Sequence, residues 1–372
     1  MSFLFSPITL GGTTLSNRLV VAPMCQYSAK DGLPQPWHVQ HLGAMALSGC
    51  GLVIQEATAV EAIGRITPGD AGLWNDDQER AYAELLQGLR SFSRAAFGVQ
   101  LSHAGRKASS APPWVERGRS LTPADGAWET VGPSAIPFDE GWHTPVALDA
   151  AGLKRIREAF VASARRADRV GYDLLELHGA HGYLLSEFLS GLANQRDDDY
   201  GGSRANRMRF PLEVAAAVRE VWPRSKALGM RLNGSDWAEG GVAPEDAVVM
   251  SRELRNLGFD YVHLSSGGLV AKAKIPGNQP GYQVPFAHAV KEVVPDLTVI
   301  AVGMITDACQ AEEIVETGQA DMVALARALL DDPRWAWRAA DRLDGPSLVP
   351  VQYQRATKKT WAGYVHAHHE LD

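Results

Sequence analysis

The feature that most constrains this chain is a repeated unit. A short apolar run of strand-forming residues leads into a Gly- or polar-rich loop, and then into a segment with helical periodicity. The apolar runs fall at 19–24 (LVVAPM), 52–56 (LVIQE), 97–101 (FGVQL), 174–177 (LLEL), 228–232 (LGMRL), 261–264 (YVHL), 298–302 (TVIAV) and 322–325 (MVAL). Helical segments are expected at 76–92, 153–170, 207–222, 244–257, 285–294 and 309–316. The first starts behind an Asp cap with an acidic first turn, and Gly171 stops the second. Pro244 and Pro285 suit first-turn positions, where a missing N–H costs nothing. Strands alternating with helices imply a parallel sheet. Eight such units favour a closed (β/α)8 TIM barrel over an open doubly wound sheet, and no G-x-G-x-x-G follows the first strand.

Two regions depart from the unit. Residues 8–19, with Gly11 and Gly12 inside, read as an N-terminal hairpin closing the barrel bottom. Residues 104–148, after strand 3, form a long loop rich in Pro, Gly and Trp, of the kind that serves as a lid. No linker divides the chain. Residues 1–372 are therefore expected to form a single barrel domain, with an irregular tail beyond about 357. The net charge of −7, with no long basic run, argues against nucleic acid or an anionic membrane as partner. No run is apolar enough to span a bilayer, and the N-terminus lacks the charged and apolar regions of a signal peptide. Cys25, Cys50 and Cys309 are too sparse for a disulfide framework, so a cytoplasmic setting is expected. Cys50 and Cys309 read as small buried residues.

In a barrel the C-terminal strand ends carry the chemistry. The fourth run ends in LLELHGAHGY at 174–183, which delivers His178, His181 and Tyr183 together. Two imidazoles and a phenol can polarise a carbonyl and deliver a proton. The same residues, with a carboxylate, suit a metal. Loops after strands seven and eight of such barrels commonly bind phosphate. Here Gly303 lets backbone approach closely and Arg327 opens a helical segment, so a phosphorylated ligand is expected there.

Five separated segments carry a family resemblance: NRLVVAPMCQYSA at 17–29, GRITPGDAGLW at 64–74, QLSHAGRK at 100–107, ELHGAHGYLLSEFLS at 176–190 and NQRDDDYGGSRANRMRFPLEV at 194–214. With these the chain resembles the old yellow enzymes, the FMN-dependent ene-reductases, in the thermophilic-like branch that includes xenobiotic reductases. The resemblance implies FMN bound non-covalently at the barrel mouth, with NADPH or NADH as reductant. Pro23, Met24, Cys25, Ala57, Gln100 and Arg231 would surround the ring system, and Gly267, Gly303, Ala326 and Arg327 would hold the phosphate. Arg231 would face the charge that collects on reduced flavin; its alternative is a structural ion pair with Glu176 or Glu56. His178 and His181 would hold a substrate oxygen, Tyr183 would protonate carbon, and Tyr27 would add a hydrogen bond. Cys25 would act as a modulator and not as a nucleophile, and Ile66 would line the pocket. Lys107 approaches the mouth or is a solvated charge. Arg355, in QYQRA at 352–356, would reach the neighbouring subunit's site, which implies a homodimer or higher homo-oligomer; the chain then continues to Asp372.

The expected activity is NAD(P)H-dependent reduction of activated alkenes (enones, enals, maleimides and nitroalkenes), with xenobiotic nitro compounds as a further class. Hydride would come from flavin N5 and the proton from Tyr183. Two competing readings are a zinc-dependent hydrolase barrel built on His178 and His181, and a non-catalytic flavin- or phosphate-binding barrel. Against zinc, His-x-x-His on a loop lacks the helical spacing of His-Glu-x-x-His, and no third ligand is evident.

Overall fold

The structure is a computed structural model and describes residues 2–367. Two antiparallel strands, β1 (Ile8–Leu10) and β2 (Thr13–Leu15), open the chain. They are followed by β3 (Leu19–Val21), β4 (Leu52–Ala59) and β5 (Ala96–Ser102). The long insertion then contributes a small parallel pair, β6 (Val131–Gly132) and β7 (Val146–Ala147). The remaining strands are β8 (Leu174–Gly179), β9 (Ala227–Asn233), β10 (Tyr261–Ser265), β11 (Thr298–Val302) and β12 (Met322–Leu325). Apart from the two outlying pairs, the strands join side by side in chain order. β12 pairs back onto β3, so the sheet closes into the expected eight-stranded parallel barrel.

The helices are α1 (Pro36–Ala46), α2 (Asp76–Arg90), α3 (Ala150–Val170), α4 (Leu184–Leu189) and α5 (Arg204–Val221), then α6 (Pro244–Asn256), α7 (Val284–Val293), α8 (Ala308–Glu316), α9 (Arg327–Asp331), α10 (Trp335–Arg342) and the short α11 (Tyr364–Ala367). The N-cap of α2 is Asn75, not an aspartate. Its side chain accepts from the Gln78 N–H, while Asp76, Asp77 and Glu79 occupy the first turn, where the helix dipole favours acids. Gly171 ends α3 as expected, in the left-handed region at φ 96°. Helix α1 escaped the sequence reading because His38, Gln40, His41 and Gly43 blur the apolar stripe.

Two packing layers position the mouth. Inside the barrel, Leu10 and Leu15 of the hairpin meet Val20, Ile54, Leu174, Ala227, Tyr261 and Met322, which plugs the bottom. Gly229 leaves room for the Tyr261 ring; a Cβ there would sit 2.2 Å from it. Outside, Val53, Phe97, Leu175 and Val262 pack against residues such as Phe160 of α3 and Val218 of α5. Burial on both faces is why the strand runs read as continuously apolar. Cys50 is buried as expected, but Cys309 is exposed, because it falls on the solvent face of α8. Phe160 is fully enclosed. Phe160→Ala should therefore cost about 3–5 kcal/mol in urea unfolding followed by circular dichroism. A loss below about 1 kcal/mol would contradict this packing of α3.

Candidate active site

β8 brings the central group to the mouth. His178 is its penultimate residue, buried and in register with Arg231 of β9. The chain then turns sharply through His181 (φ 60°) and Gly182 (φ 70°), and Tyr183 becomes the N-cap of α4. A non-glycine residue in the left-handed region costs on the order of 1–3 kcal/mol and needs support. The His181 N–H donates to Asn233 Oδ1 at 3.1 Å. Lys107 Nζ donates to the carbonyls of His181 and Gly268, both at 2.8 Å, and lies 4.9 Å from the centre of the Tyr183 ring. Lys107 is thus a clamp between the loops after β8 and β10. It is not a solvated charge.

The three rings form one group. His178 and His181 have centroids 5.2 Å apart with planes at 85°, and His178 and Tyr183 have centroids 4.9 Å apart at 81°. Burial, followed by the charge of Arg231, holds both imidazoles well below the ordinary histidine pKa. They are neutral at physiological pH. Burial, with nearby Cys25 and Asp70, pushes the Tyr183 phenol well above its ordinary value, so it keeps its proton.

The facing wall comes from the ends of β3 and β4. Ile66, Ala104 and Ala108 pack with Cys25, Tyr27, Trp128 and Tyr183 in a single apolar cluster. Gln26 N–H donates to Glu56 Oε2 at 2.8 Å, which fixes the segment carrying Cys25 and Tyr27. Glu56 Oε1 in turn faces His38 Nε2 of α1 at 3.3 Å. Burial, then Asp70 and Glu56, raise the Cys25 thiol well above the ordinary range, which suits a neutral modulator and not a nucleophile. Tyr27 meets Trp114 of the long insertion edge-on at 5.6 Å.

The floor carries a charge arrangement that sequence reasoning left open. Glu176 is fully buried; its Oε1 accepts from Gln100 Nε2 at 2.7 Å and its Oε2 faces His263 Nδ1 at 3.1 Å. Burial opposes its ionisation, but His263, Arg231 and Gln100 together hold its carboxyl below the usual range. Arg231 itself is only 7% exposed. Among the described residues it makes no ion pair, and its Nε has no hydrogen-bond partner. The alternative of a structural ion pair with Glu176 or Glu56 is therefore not what is found. Ala57 is buried nearby in sequence, while Pro23 and Met24 are half-buried at the end of β3. Gly267 (φ 76°) and Gly303 (φ 116°) end β10 and β11 as bare backbone, and a Cβ on Gly303 would lie 2.2 Å from Gln283 Nε2. Ala326 caps α9, and Arg327 is exposed at its start. An orphaned buried guanidinium, an amide donor and glycine-lined strand ends fit the flat, electron-accepting ring and phosphate tail of the FMN that the family resemblance implies.

The model of the NADH:flavin oxidoreductase / NADH oxidase family matches residues 3–345. The chain belongs to this family. The old yellow enzyme resemblance is borne out, and this flavin oxidoreductase is an enzyme whose cofactors are FMN and a nicotinamide nucleotide. It is 44% identical over 354 residues to an NADPH dehydrogenase of Geobacillus thermodenitrificans (strain NG80-2), covering 95% of this chain and 98% of that one. It is 42% identical over 357 residues to an NADPH dehydrogenase of Geobacillus sp. (strain WCH70), with the same coverage. Among solved structures, morphinone reductase in complex with tetrahydroNAD matches with a TM-score of 0.75 at 27% identity, over 96% of this chain and 93% of that one.

Arg355 does not join the group within its own chain. It is exposed on the turn Val351–Ala356, whose Tyr353 rests against Trp337 of α10. Among the described residues no group of three His, Cys, Asp or Glu side chains is placed to hold a metal. Sequence reasoning missed Asn233, Ser265, Gln283 and Trp114 as parts of the site. Asn233 and Ser265 had a signal, their places at the ends of the fifth and sixth barrel strands.

Burial, then Arg106, lowers Lys107 from 10.5 to about 8. A base depressed by folding contributes stability that is present above its unfolded pKa and is lost as pH falls through its folded pKa. The melting temperature of the wild type should therefore rise relative to Lys107→Met as pH increases from about 8 to 10.5. A difference that stays constant over this window would contradict the assigned burial of the ammonium.

Proposed function

We propose that this flavin oxidoreductase reduces the C=C bond of activated alkenes (enones, enals, maleimides and nitroalkenes), at the expense of NADPH or NADH. One observation supports this above others: two neutral imidazoles and a buried neutral phenol are grouped at the mouth, beside a buried arginine that makes no ion pair among the described residues. FMN, when bound, supplies the hydride that a nicotinamide nucleotide has given it. His178 and His181 hold the carbonyl or nitro oxygen of the substrate and draw electron density from the distant alkene carbon. Tyr183 delivers the proton to the neighbouring carbon; a phenol is a competent acid when that carbon is enolate-like. Tyr27 adds a hydrogen bond at the oxygen, and Cys25 and Ile66 shape the wall. Pro23, Met24, Ala57, Gln100 and Arg231 contact the ring system, and Gly267, Gly303, Ala326 and Arg327 hold the phosphate. The whole chain acts as one FMN-binding barrel domain in the cytoplasm, and as a homodimer or higher homo-oligomer in which Arg355 completes the neighbouring site. In keeping with a cytoplasmic protein, no described helix is long and apolar enough to cross a membrane.

Two outcomes test this reading. The purified protein should be yellow, bleach anaerobically with NADPH, and recover its colour on addition of cyclohexenone; a colourless protein, or one bleached but not restored by any activated alkene, contradicts it. Tyr183→Phe should slow reoxidation by cyclohexenone about 100-fold or more in stopped-flow, while reduction by NADPH changes little. Equal slowing of both half-reactions would mean that Tyr183 binds ligands and does not donate a proton.

A further inference from the structure

We propose that Ser265 sets the tautomer of His181, so that His178 and His181 present opposite ring nitrogens, Nε2–H and Nδ1–H, as paired donors to one oxygen. This rests on the reading of these residues as the oxygen-binding pair, and it assigns a positioning role to a side chain outside that pair.

Two neutral imidazoles each carry one N–H and one lone pair, and only the N–H helps a substrate oxygen. Which nitrogen holds the proton is decided by the partner of the other one. For His178 that partner is the Ala180 N–H, which donates to Nδ1 at 3.3 Å. The proton of His178 therefore sits on Nε2, which bonds to no described residue and is not among the sealed, unpartnered atoms. For His181 the partner is different: Nε2 lies 2.7 Å from Ser265 Oγ. A hydroxyl can donate or accept, so this contact alone leaves two tautomers.

The surroundings of Ser265 choose between them. Its other neighbour is Gln283 Oε1, at 3.4 Å, beyond the usual range for a hydroxyl donor. That oxygen is already served by Ser266 Oγ at 2.6 Å. The Gln283 amide cannot turn over without loss, because its Nε2 donates to the Val302 carbonyl at 3.0 Å. Gln283 therefore does not require the Ser265 proton, and the short contact to His181 takes it. With Nε2 accepting from Ser265, the His181 proton is forced onto Nδ1. That nitrogen likewise bonds to no described residue and is not sealed off. The ring planes meet at 85° with centroids 5.2 Å apart, so the two rings are close neighbours and not stacked face to face. The opposite tautomer would aim a lone pair at the oxygen. Ser265 stands on β10, 84 residues from His181 in sequence, so the donor pair depends on the closure of the barrel.

The test is the tautomer itself. In holoenzyme labelled with 15N-histidine, long-range 1H–15N correlations distinguish Nδ1–H from Nε2–H rings. The signals are assigned by their loss in His178→Gln and His181→Gln. We expect His178 as Nε2–H and His181 as Nδ1–H in the wild type. An Nε2–H pattern for His181 would overturn the proposal, whatever the enzyme's activity. In Ser265→Ala the His181 pattern should move towards Nε2–H, and Ser265→Thr should restore it. Phenol, used as the probe, should bind about tenfold more weakly to Ser265→Ala than to wild type at equal FMN occupancy, with recovery in Ser265→Thr. An unchanged His181 pattern in Ser265→Ala would also overturn the proposal. Should that variant lose FMN, the wild-type spectrum alone still decides.

Discussion

Arg231 is a cation held inside the barrel mouth without a carboxylate bound to it, and much of the site is arranged around that charge. Burying an unpaired ion costs on the order of several kcal/mol. The obvious counter-ion, Glu176, is committed elsewhere, to Gln100 and His263. Its charge moderates the guanidinium from a distance and leaves the donor face free. A fold that retains such a charge has a use for it, and the proposed role of Arg231 beside the flavin ring supplies one. The same charge acts on the imidazoles of the neighbouring strand end. Together with burial it keeps His178 and His181 neutral, so they act as hydrogen-bond donors whose behaviour is set by tautomer and not by protonation.

The second dependency is geometric. His181 is useful only because the chain after β8 turns through the left-handed region, and that turn is braced from three other strands. Asn233 at the end of β9 takes the backbone N–H. Ser265 on β10 takes the ring. Lys107, just beyond β5, ties the His181 carbonyl to that of Gly268. The two loops touch so closely that a Cβ on Gly182 would lie 2.4 Å from the Gly268 carbonyl oxygen. Strain, clamp and glycine contact are parts of one device, which holds the His178 ring centre 5.2 Å from that of His181 and 4.9 Å from that of Tyr183.

The sequence made the barrel legible because its information is local. Each strand is a short apolar run, and most helices carry caps, acidic first turns or a terminating glycine. It also made the strand ends legible as sites, since (β/α)8 topology sends every such end to one face. What it could not resolve was the pairing between ends. Lys107 looked as much like a solvated charge as a mouth residue, because its acceptors are carbonyls 74 and 161 residues away. Arg231 looked as ready to pair with Glu176 as to await a ligand, because only the fold reveals that Gln100 and His263 have claimed the acid. Cys309 was taken as buried because a lone cysteine usually is, and its place on the outer face of α8 depends on helix phase.

The role of Arg231 turns on whether its charge is held for the cofactor. The most direct measurement compares Arg231→Met with wild type in two respects: the melting temperature of the FMN-free protein, and the dissociation constant for FMN. If the cation is held for the ring, removing it should leave the FMN-free protein as stable or more stable, and should weaken FMN binding about tenfold or more. A variant that melts lower without FMN, yet binds FMN as tightly as wild type, would show that Arg231 serves the fold and not the cofactor.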